Sequence, residues 1–304
     1  MRLVGSAALL VWLGTVSPAA DAQLERLLAG LSEQAENFAR KAPQLTAQET
    51  LRQLARKEGP KRKPHLTPTP KALPPVEYQN REVVSEYGWA AFKDAPAALH
   101  EFREVVSVDG RPVRPSQEAR TSLARALTSK NDGVKKRLIE AYAKTTLPGT
   151  ATDFGQLILL FTRRRLPGYT FTWQGVGRVG ADVIVRYTFE QTQVALDASR
   201  GRQGGRPSLR GTISMRVRDG LPLRITLETT EDGETQVRDE GVVEYIASAH
   251  GVLVPVSVLH RQSRKGEMVV ENRFQYSSFR TLTASSDGAS ARSAPAATPS
   301  SRRP

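Results

Sequence analysis

From Tyr169 onward apolar and polar residues alternate with a period of two. Tyr169/Phe171/Trp173, Val183/Val185/Tyr187/Phe189, Ile213/Met215/Val217, Leu223/Ile225/Leu227 and Met268/Val270/Phe274/Tyr276 hold one set of positions, and Thr, Arg, Glu and Gln fill most places between. A strand patterned this way is apolar on one face and wet on the other, which is the signature of an antiparallel sheet. Further strands are expected around 242–248 and 252–260, with Pro255 marking an edge or a bulge, and earlier at 81–92 and 99–108, closing on an Asp109-Gly110 turn. Gly220, Asp232-Gly233 and Lys265-Gly266 supply tight-turn chemistry, so strands that follow one another in sequence should pair in space.

The helical period appears elsewhere. Leu24, Leu27, Leu28, Leu31, Ala35 and Phe38 repeat at i, i+3, i+4 over Gln23–Lys41, and Pro43 ends that helix. The capping box Thr46-x-x-Glu49 predicts a second helix presenting Leu51, Leu54 and Ala55 and stopping at Gly59-Pro60. Three more are expected in the body: one capped by Ser116 with Ala119, Leu123, Ala126 and Leu127 inward, one over 133–145 with Val134, Leu138 and Tyr142, and a nearly all-apolar one over 153–165. The expected fold class is α+β, a curved antiparallel meander of about eight strands covered by helices, with an N-terminal helical segment.

Segment composition sets the expected organisation. Arg2, the thirteen-residue apolar run Val4–Val16 and Ala20-Asp21-Ala22 read as a signal peptide over 1–22. That run is too short to cross a hydrocarbon core of about 30 Å as a helix, so export to the periplasm or the medium is expected, with no transmembrane segment after signal removal. A helical segment over 23–58 then precedes a linker over 59–75 that holds six prolines and four basic residues. The sheet domain covers 76–283, and a tail over 284–304, in which 15 of 21 residues are Ala, Ser or Pro, is expected to be disordered.

The 304 residues carry a formal net charge of +13 and no cysteine. Without cysteine there is no disulfide scaffold, thiolate metal site, thiol nucleophile or lipid-anchored N-terminus. Residues 76–283 hold 30 of the 44 basic and 24 of the 31 acidic residues, so roughly half of the excess lies in the flanks. Basic flanks on a near-balanced body point to an anionic envelope surface as a partner, and export argues against nucleic acid.

Chemical motifs weigh towards structure. Gly175-x-Gly177-x-x-Gly180 matches the dinucleotide fingerprint, but Ala181–Glu190 alternates as a strand where the pyrophosphate would need a helix N-terminus, so the glycines turn a hairpin. His100-Glu101-x-x-Glu104 lacks the second histidine of a zinc site; on a strand His100, Phe102 and Glu104 share a face and Glu101 points away. Acid–base work there would need a carboxylate such as Glu86 across the hairpin, and a hydrolase using Glu86, His100 or Glu104 is the weakest functional reading. Arg200, Arg202 and Arg206 among glycines read as a long hairpin loop, and Arg163-Arg164-Arg165 as cations closing a helix. His250 and His260 have no orienting motif, and no nucleophile elbow or phosphate loop occurs. No cofactor, no metal and no enzymatic activity are expected.

The strings LHEFREVVSVDGRPV (99–113), DFGQLILLFTRRR (153–165), GVLVPVSVLHRQS (251–263) and ENRFQYSSFR (271–280) resemble those of a group of uncharacterised secreted bacterial proteins. The sheet-plus-helices plan is more distantly similar to the periplasmic lipoprotein-carrier (outer-membrane lipoprotein-sorting) fold. That resemblance implies a curved sheet holding lipid chains against helices that act as a lid. The sheet face that would contact an apolar or lipid ligand carries Phe171, Trp173, Val185, Tyr187, Phe189, Met215, Phe274 and Tyr276. The alternative is a solidly packed structural or interaction module of the cell envelope.

Overall fold

A computed structural model describes residues 18–57, 76–192, 208–230 and 237–282. Most of the expected signal peptide, the linker, the arginine–glycine loop, the Asp232-Gly233 turn and the tail lie outside the described residues. One eleven-stranded antiparallel sheet dominates them. Its strands are β1 (Leu45–Arg56), β2 (Tyr78–Phe92), β3 (Ala95–Val108), β4 (Arg111–Pro112), β5 (Tyr169–Val179), β6 (Asp182–Gln191), β7 (Leu209–Arg216), β8 (Pro222–Thr230), β9 (Val237–Ala247), β10 (Leu253–Arg264) and β11 (Glu267–Thr281). The spatial order is β4-β3-β2-β1-β11-β10-β9-β8-β7-β6-β5. Strands that follow one another in sequence pair, except that β4 and β5 form the two opposite edges, and β1 also joins β11 inside the sheet. Tight turns at Asp109-Gly110 and Lys265-Gly266 connect β3 to β4 and β10 to β11, all four residues having positive φ, and Pro255 sits where the β9–β10 register slips.

Two expected helices are absent, for different reasons. The segment after the capping box is β1, which places residues 45–56 inside the sheet, between β2 and β11, rather than in a helical segment apart from it. The inward positions are Leu45, Ala47, Glu49, Leu51, Gln53 and Ala55, all buried. Two of these six are polar, and they interrupt the two-residue period in a hydropathy reading. Over 153–165 the chain makes only a single 310 turn, Leu157–Phe161. Side chains of neighbouring elements take up its backbone groups instead: Ile158 N donates to Tyr245 Oη (3.1 Å), Tyr245 Oη donates to Gly155 O (3.1 Å), Asp153 N to Glu101 Oε2 (3.1 Å) and Arg163 N to Glu36 Oε1 (3.0 Å). With those groups satisfied externally the i→i−4 ladder has nothing to add. Residues 147–168 therefore form an irregular strap, and Arg163–Arg165 leave it exposed rather than closing a helix.

The helices that do form divide between the two faces. α1 (Pro18–Lys41) lays Leu27, Leu31, Ala35 and Phe38 on the inner face, where they share one core with the strap residues Leu157, Ile158 and Phe161. α2 (Ser116–Thr128) covers the outer face of β2 and β3, packing Leu123, Ala126 and Leu127 against Ala90 and Phe102. Its cap is Pro115, not Ser116, whose hydroxyl instead donates to Glu86 Oε1 (2.7 Å). α3 (Asp132–Thr145) gives Leu138 to this outer cluster and Tyr142 to the main core. The outer face of β5–β8 is polar, with Thr170, Thr172, Thr188, Thr212 and Thr226 around a depression of about 320 Å³.

Candidate functional site

The inner face beneath α1 and the strap is the candidate site. Cross-strand register aligns its apolar side chains in rows: Phe171 opposite Phe189, Val185 opposite Met215, and Tyr187 opposite Ile213 and then Ile225. Val185, Tyr187, Phe189, Met215, Phe274 and Tyr276 are buried in one continuous core, and Phe171 packs at its margin 6.1 Å from the Phe161 ring. Trp173 does not join them. It lies opposite Tyr187 yet is 61% exposed, beyond the reach of α1 and the strap.

Side chains of α1 and the strap occupy much of this face, and an open groove runs between them. It has a volume of about 620 Å³ and is bounded by α1 (Glu36, Ala39), the start of β3 (Leu99) and the strap (Leu157, Leu159, Leu160, Arg164, Arg165). Its lining is mixed: leucine and alanine side chains stand beside Asp153, Gln156 and Thr162, and Arg164 and Arg165 supply two guanidinium groups suited to the acidic end of an amphipathic molecule.

Towards β1–β3 the inner face turns polar. Arg103 Nε donates to Glu49 Oε1 (2.7 Å) and Oε2 (3.0 Å), and its Nη2 donates to Glu101 Oε2 (2.7 Å), with all three residues buried. The guanidinium carbon lies 5.0 Å from the ring centroids of Tyr87 and Tyr142 and 5.5 Å from that of Phe274. Burial opposes the Arg103 charge, yet Glu49, Tyr142 and Glu101 hold its pKa well above the ordinary value. One cation faces two carboxylates, and burial, reinforced by Asp153 and Glu49, raises the pKa of Glu101 against the pull of Arg103. Glu101 Oε1 and Tyr87 Oη are buried without a hydrogen-bond partner among the described residues, at a cost that is lower when the carboxyl is neutral. Both abut Gly155 of the strap, where a Cβ would lie 2.7 Å from the carboxyl oxygen and 3.0 Å from the phenol.

The strap is latched at this point and at two others. Asp153, at φ +64°, accepts from Glu101 N (2.8 Å) and lies 3.3 Å from His100 Nδ1. Gln53 accepts from Leu147 N (2.9 Å) and donates to Thr150 Oγ1 (2.8 Å) and Asn272 Oδ1 (2.7 Å). Phe154 lies over Gly241, where a Cβ would come within 2.3 Å of its ring, and its centroid is 4.8 Å from that of His260. Gly241→Ala is therefore expected to displace Phe154 and cost about 1–2 kcal/mol. Amide exchange should rise in residues 150–161 ahead of the sheet, and exchange unchanged there would show that Phe154 is no anchor.

The other polar candidates have structural partners. Glu86 and Glu104 do lie opposite each other, on the outer face under α2. Ser116, Arg120 and Arg280 engage the two oxygens of Glu86, and Arg114 and Ser122 those of Glu104. All four carboxylate oxygens are thus taken, and His100, placed with Glu104 by strand parity, turns to Asp153. His260, which has no orienting motif in the sequence, proves to be oriented: its Nε2 is 3.1 Å from Asp239 Oδ1, and its Nδ1 accepts from Asn272 Nδ2 (3.0 Å). The hydrogen bond from His260 Nε2 holds the Asp239 carboxyl below its usual range. The pair borders a depression of about 300 Å³, where Thr150 directs its proton to Leu147 O (2.6 Å) rather than to the imidazole. Among the described residues no group of three His, Cys, Asp or Glu is placed to hold a metal ion, and no helix is long and apolar enough to cross a membrane. Glu49, Arg103 and Asp153 escape sequence reasoning because the contacts that join β1, β3 and the strap lie about fifty residues apart in sequence.

No family model and no curated protein matches the chain. Solved structures similar to it include the following three. A LolA superfamily protein from Nitrosomonas europaea shares 9% identity at a TM-score of 0.27, covering 82% of this chain and 93% of that one. A DUF1329 family protein from Desulfovibrio piger shares 11% at 0.32, covering 87% and 95%. An outer membrane lipoprotein-sorting protein domain from Vibrio parahaemolyticus shares 7% at 0.33, covering 88% and 95%. All three likenesses are distant.

Proposed function

We propose that this is an exported, non-enzymatic binding protein of the cell envelope, which takes an apolar or lipid ligand between the sheet and its cover. The observation that carries the reading is the groove of about 620 Å³ between α1, β3 and the strap, which combines leucine walls with Arg164 and Arg165. An acyl chain would lie along Leu157 and Leu160, its acidic end at the arginines. Going deeper, it would meet the face formed by Phe171, Val185, Tyr187, Phe189, Met215, Phe274 and Tyr276 as the strap gives way. The strap is suited to yielding, since it is joined to the sheet largely through side chains rather than by a backbone ladder.

Organic extraction of the purified protein followed by mass spectrometry should recover lipid, and a fluorescent fatty acid should bind and be displaced by it. Leu160→Glu, placed in the groove wall, should weaken fatty-acid binding about tenfold while the fold is retained. A clean extract together with undiminished binding by Leu160→Glu overturns the reading. A clean extract with no binding at all favours the solidly packed envelope module.

A further inference from the structure

Nine large apolar side chains are exposed among the described residues, and four of them, Trp173, Val176, Val179 and Val183, cluster at the end of the β5–β6 hairpin. They are 61%, 65%, 57% and 38% exposed, respectively. Register places Trp173, Val176 and Val183 on one face of the hairpin, with Val179 beside the turn on the other. Arg178 lies among them and Arg186 on the opposite face, and neither has a carboxylate partner among the described residues. Asp182, the one acidic residue at the turn, is bridged to Arg216 (3.3 Å). The hairpin end is therefore apolar and cationic at once.

We infer that this hairpin end docks the protein on an anionic bilayer surface. Contiguous exposed apolar side chains mark a contact surface, and a tryptophan flanked by arginines has the chemistry of the bilayer interface: the indole sits at headgroup depth and the guanidinium groups meet phosphates. The net charge of +13 gives the long-range attraction the same sign. A second protein strand is the competing occupant, because β5 is an edge of the sheet. The backbone disfavours it: the register slips between Trp173 and Gly175, Gly175 takes φ +141°, and a bulge of this kind interrupts the regular edge that strand addition requires. The docking surface is separate from the interior groove, so it stands or falls without the ligand reading.

The test is flotation of the full chain with vesicles of phosphatidylglycerol and phosphatidylcholine, compared with phosphatidylcholine alone. The wild type should float with the anionic vesicles. Trp173→Ser and the double variant Val176→Ser/Val179→Ser should each bind about tenfold more weakly, and Val113→Ser, an equally exposed valine at 60% elsewhere, should bind as the wild type does. Because these side chains are exposed, the variants should keep the wild-type unfolding midpoint. Arg178→Gln/Arg186→Gln should weaken binding and flatten its salt dependence. Absence of flotation by the wild type overturns the inference, as does undiminished flotation of Trp173→Ser. Conversion of a dimer to a monomer by Trp173→Ser, with vesicle binding intact, overturns it in favour of a protein contact.

Discussion

Arg103→Met is expected to destabilise the protein by about 3–5 kcal/mol, the range for removing one member of a buried ion pair. The guanidinium group lies between Glu49 and Glu101, with aromatic rings on its remaining sides. Methionine fills much of the same volume, so the loss is of charge and hydrogen bonds rather than of packing. Glu49 would be left buried, with only the Tyr142 hydroxyl among the described residues, at 3.4 Å, to donate to it. Urea unfolding should show a lower midpoint at an unchanged slope. Adding Glu49→Gln to Arg103→Met should recover part of the loss, because the stranded carboxylate is then gone; this coupling separates the ion pair from simple mispacking. Arg103→Lys should fall between, since an ammonium cannot serve Glu49 and Glu101 with one rigid fork. An Arg103→Met midpoint equal to that of the wild type would mean that the native cluster does not depend on this charge.

The cluster also shows where the sequence was legible and where it was not. Strands β5–β8 announce themselves because most of their inward positions are apolar and most outward ones are not; Ile213, Met215 and Ile225 are buried as that alternation requires, whereas β3 carries Glu101 and Arg103 inward and Phe102 outward. β1 obeys the same geometry, but Glu49 and Gln53 occupy inward positions, so the hydropathy period is interrupted and the Thr46–Glu49 spacing mimics a cap. What makes those polar residues tolerable is supplied from far along the chain: Arg103 for Glu49, Thr150 and Asn272 for Gln53. The strap is the converse case. Phe154, Leu157, Ile158 and Phe161 carry a helical apolar pattern, and the core does bury the last three. The helix is lost because Glu101 and Tyr245 on the sheet and Glu36 on α1 compete for its backbone groups, which no local pattern reveals. Alternation puts Phe171, Trp173, Val185, Tyr187, Phe189 and Met215 on one face, and of these Trp173 alone is 61% exposed, because alternation fixes a face and says nothing of how far the cover extends along it.

Glu101→Gln is expected to flatten the pH dependence of stability above the ordinary carboxyl range. Burial, first, and then the nearby Asp153 and Glu49 charges raise the native pKa of Glu101, while Arg103 opposes them. The groups facing it from the surrounding elements are Glu49 on β1, Tyr87 on β2, Arg103 on β3, Tyr142 on α3, Tyr245 on β9, Tyr276 on β11 and Asp153 on the strap. A group whose native pKa exceeds its unfolded one contributes stability that is complete below the unfolded value and is lost as pH rises through the native one. The wild type should therefore lose up to about 1.4 kcal/mol per pH unit through this one proton, beginning near the ordinary glutamate value of about 4.3. Glutamine keeps an oxygen for Arg103 and never ionises, so the difference between variant and wild type should grow in the variant's favour across that window. The carboxyls of Asp219, Asp239 and Glu271, held low by Arg216, by His260 and by Arg261 with Arg273, act in the opposite sense at acid pH and cancel in the comparison. Because the ionised Glu101 carboxylate repels that of Asp153, ionisation should also loosen the strap before it loosens the sheet. Amide exchange at residues 153–161 should accelerate with pH in the wild type beyond its intrinsic rise, and not in Glu101→Gln. Parallel pH profiles for the two proteins would place the proton elsewhere in the cluster, and would leave the strap without a titrating latch.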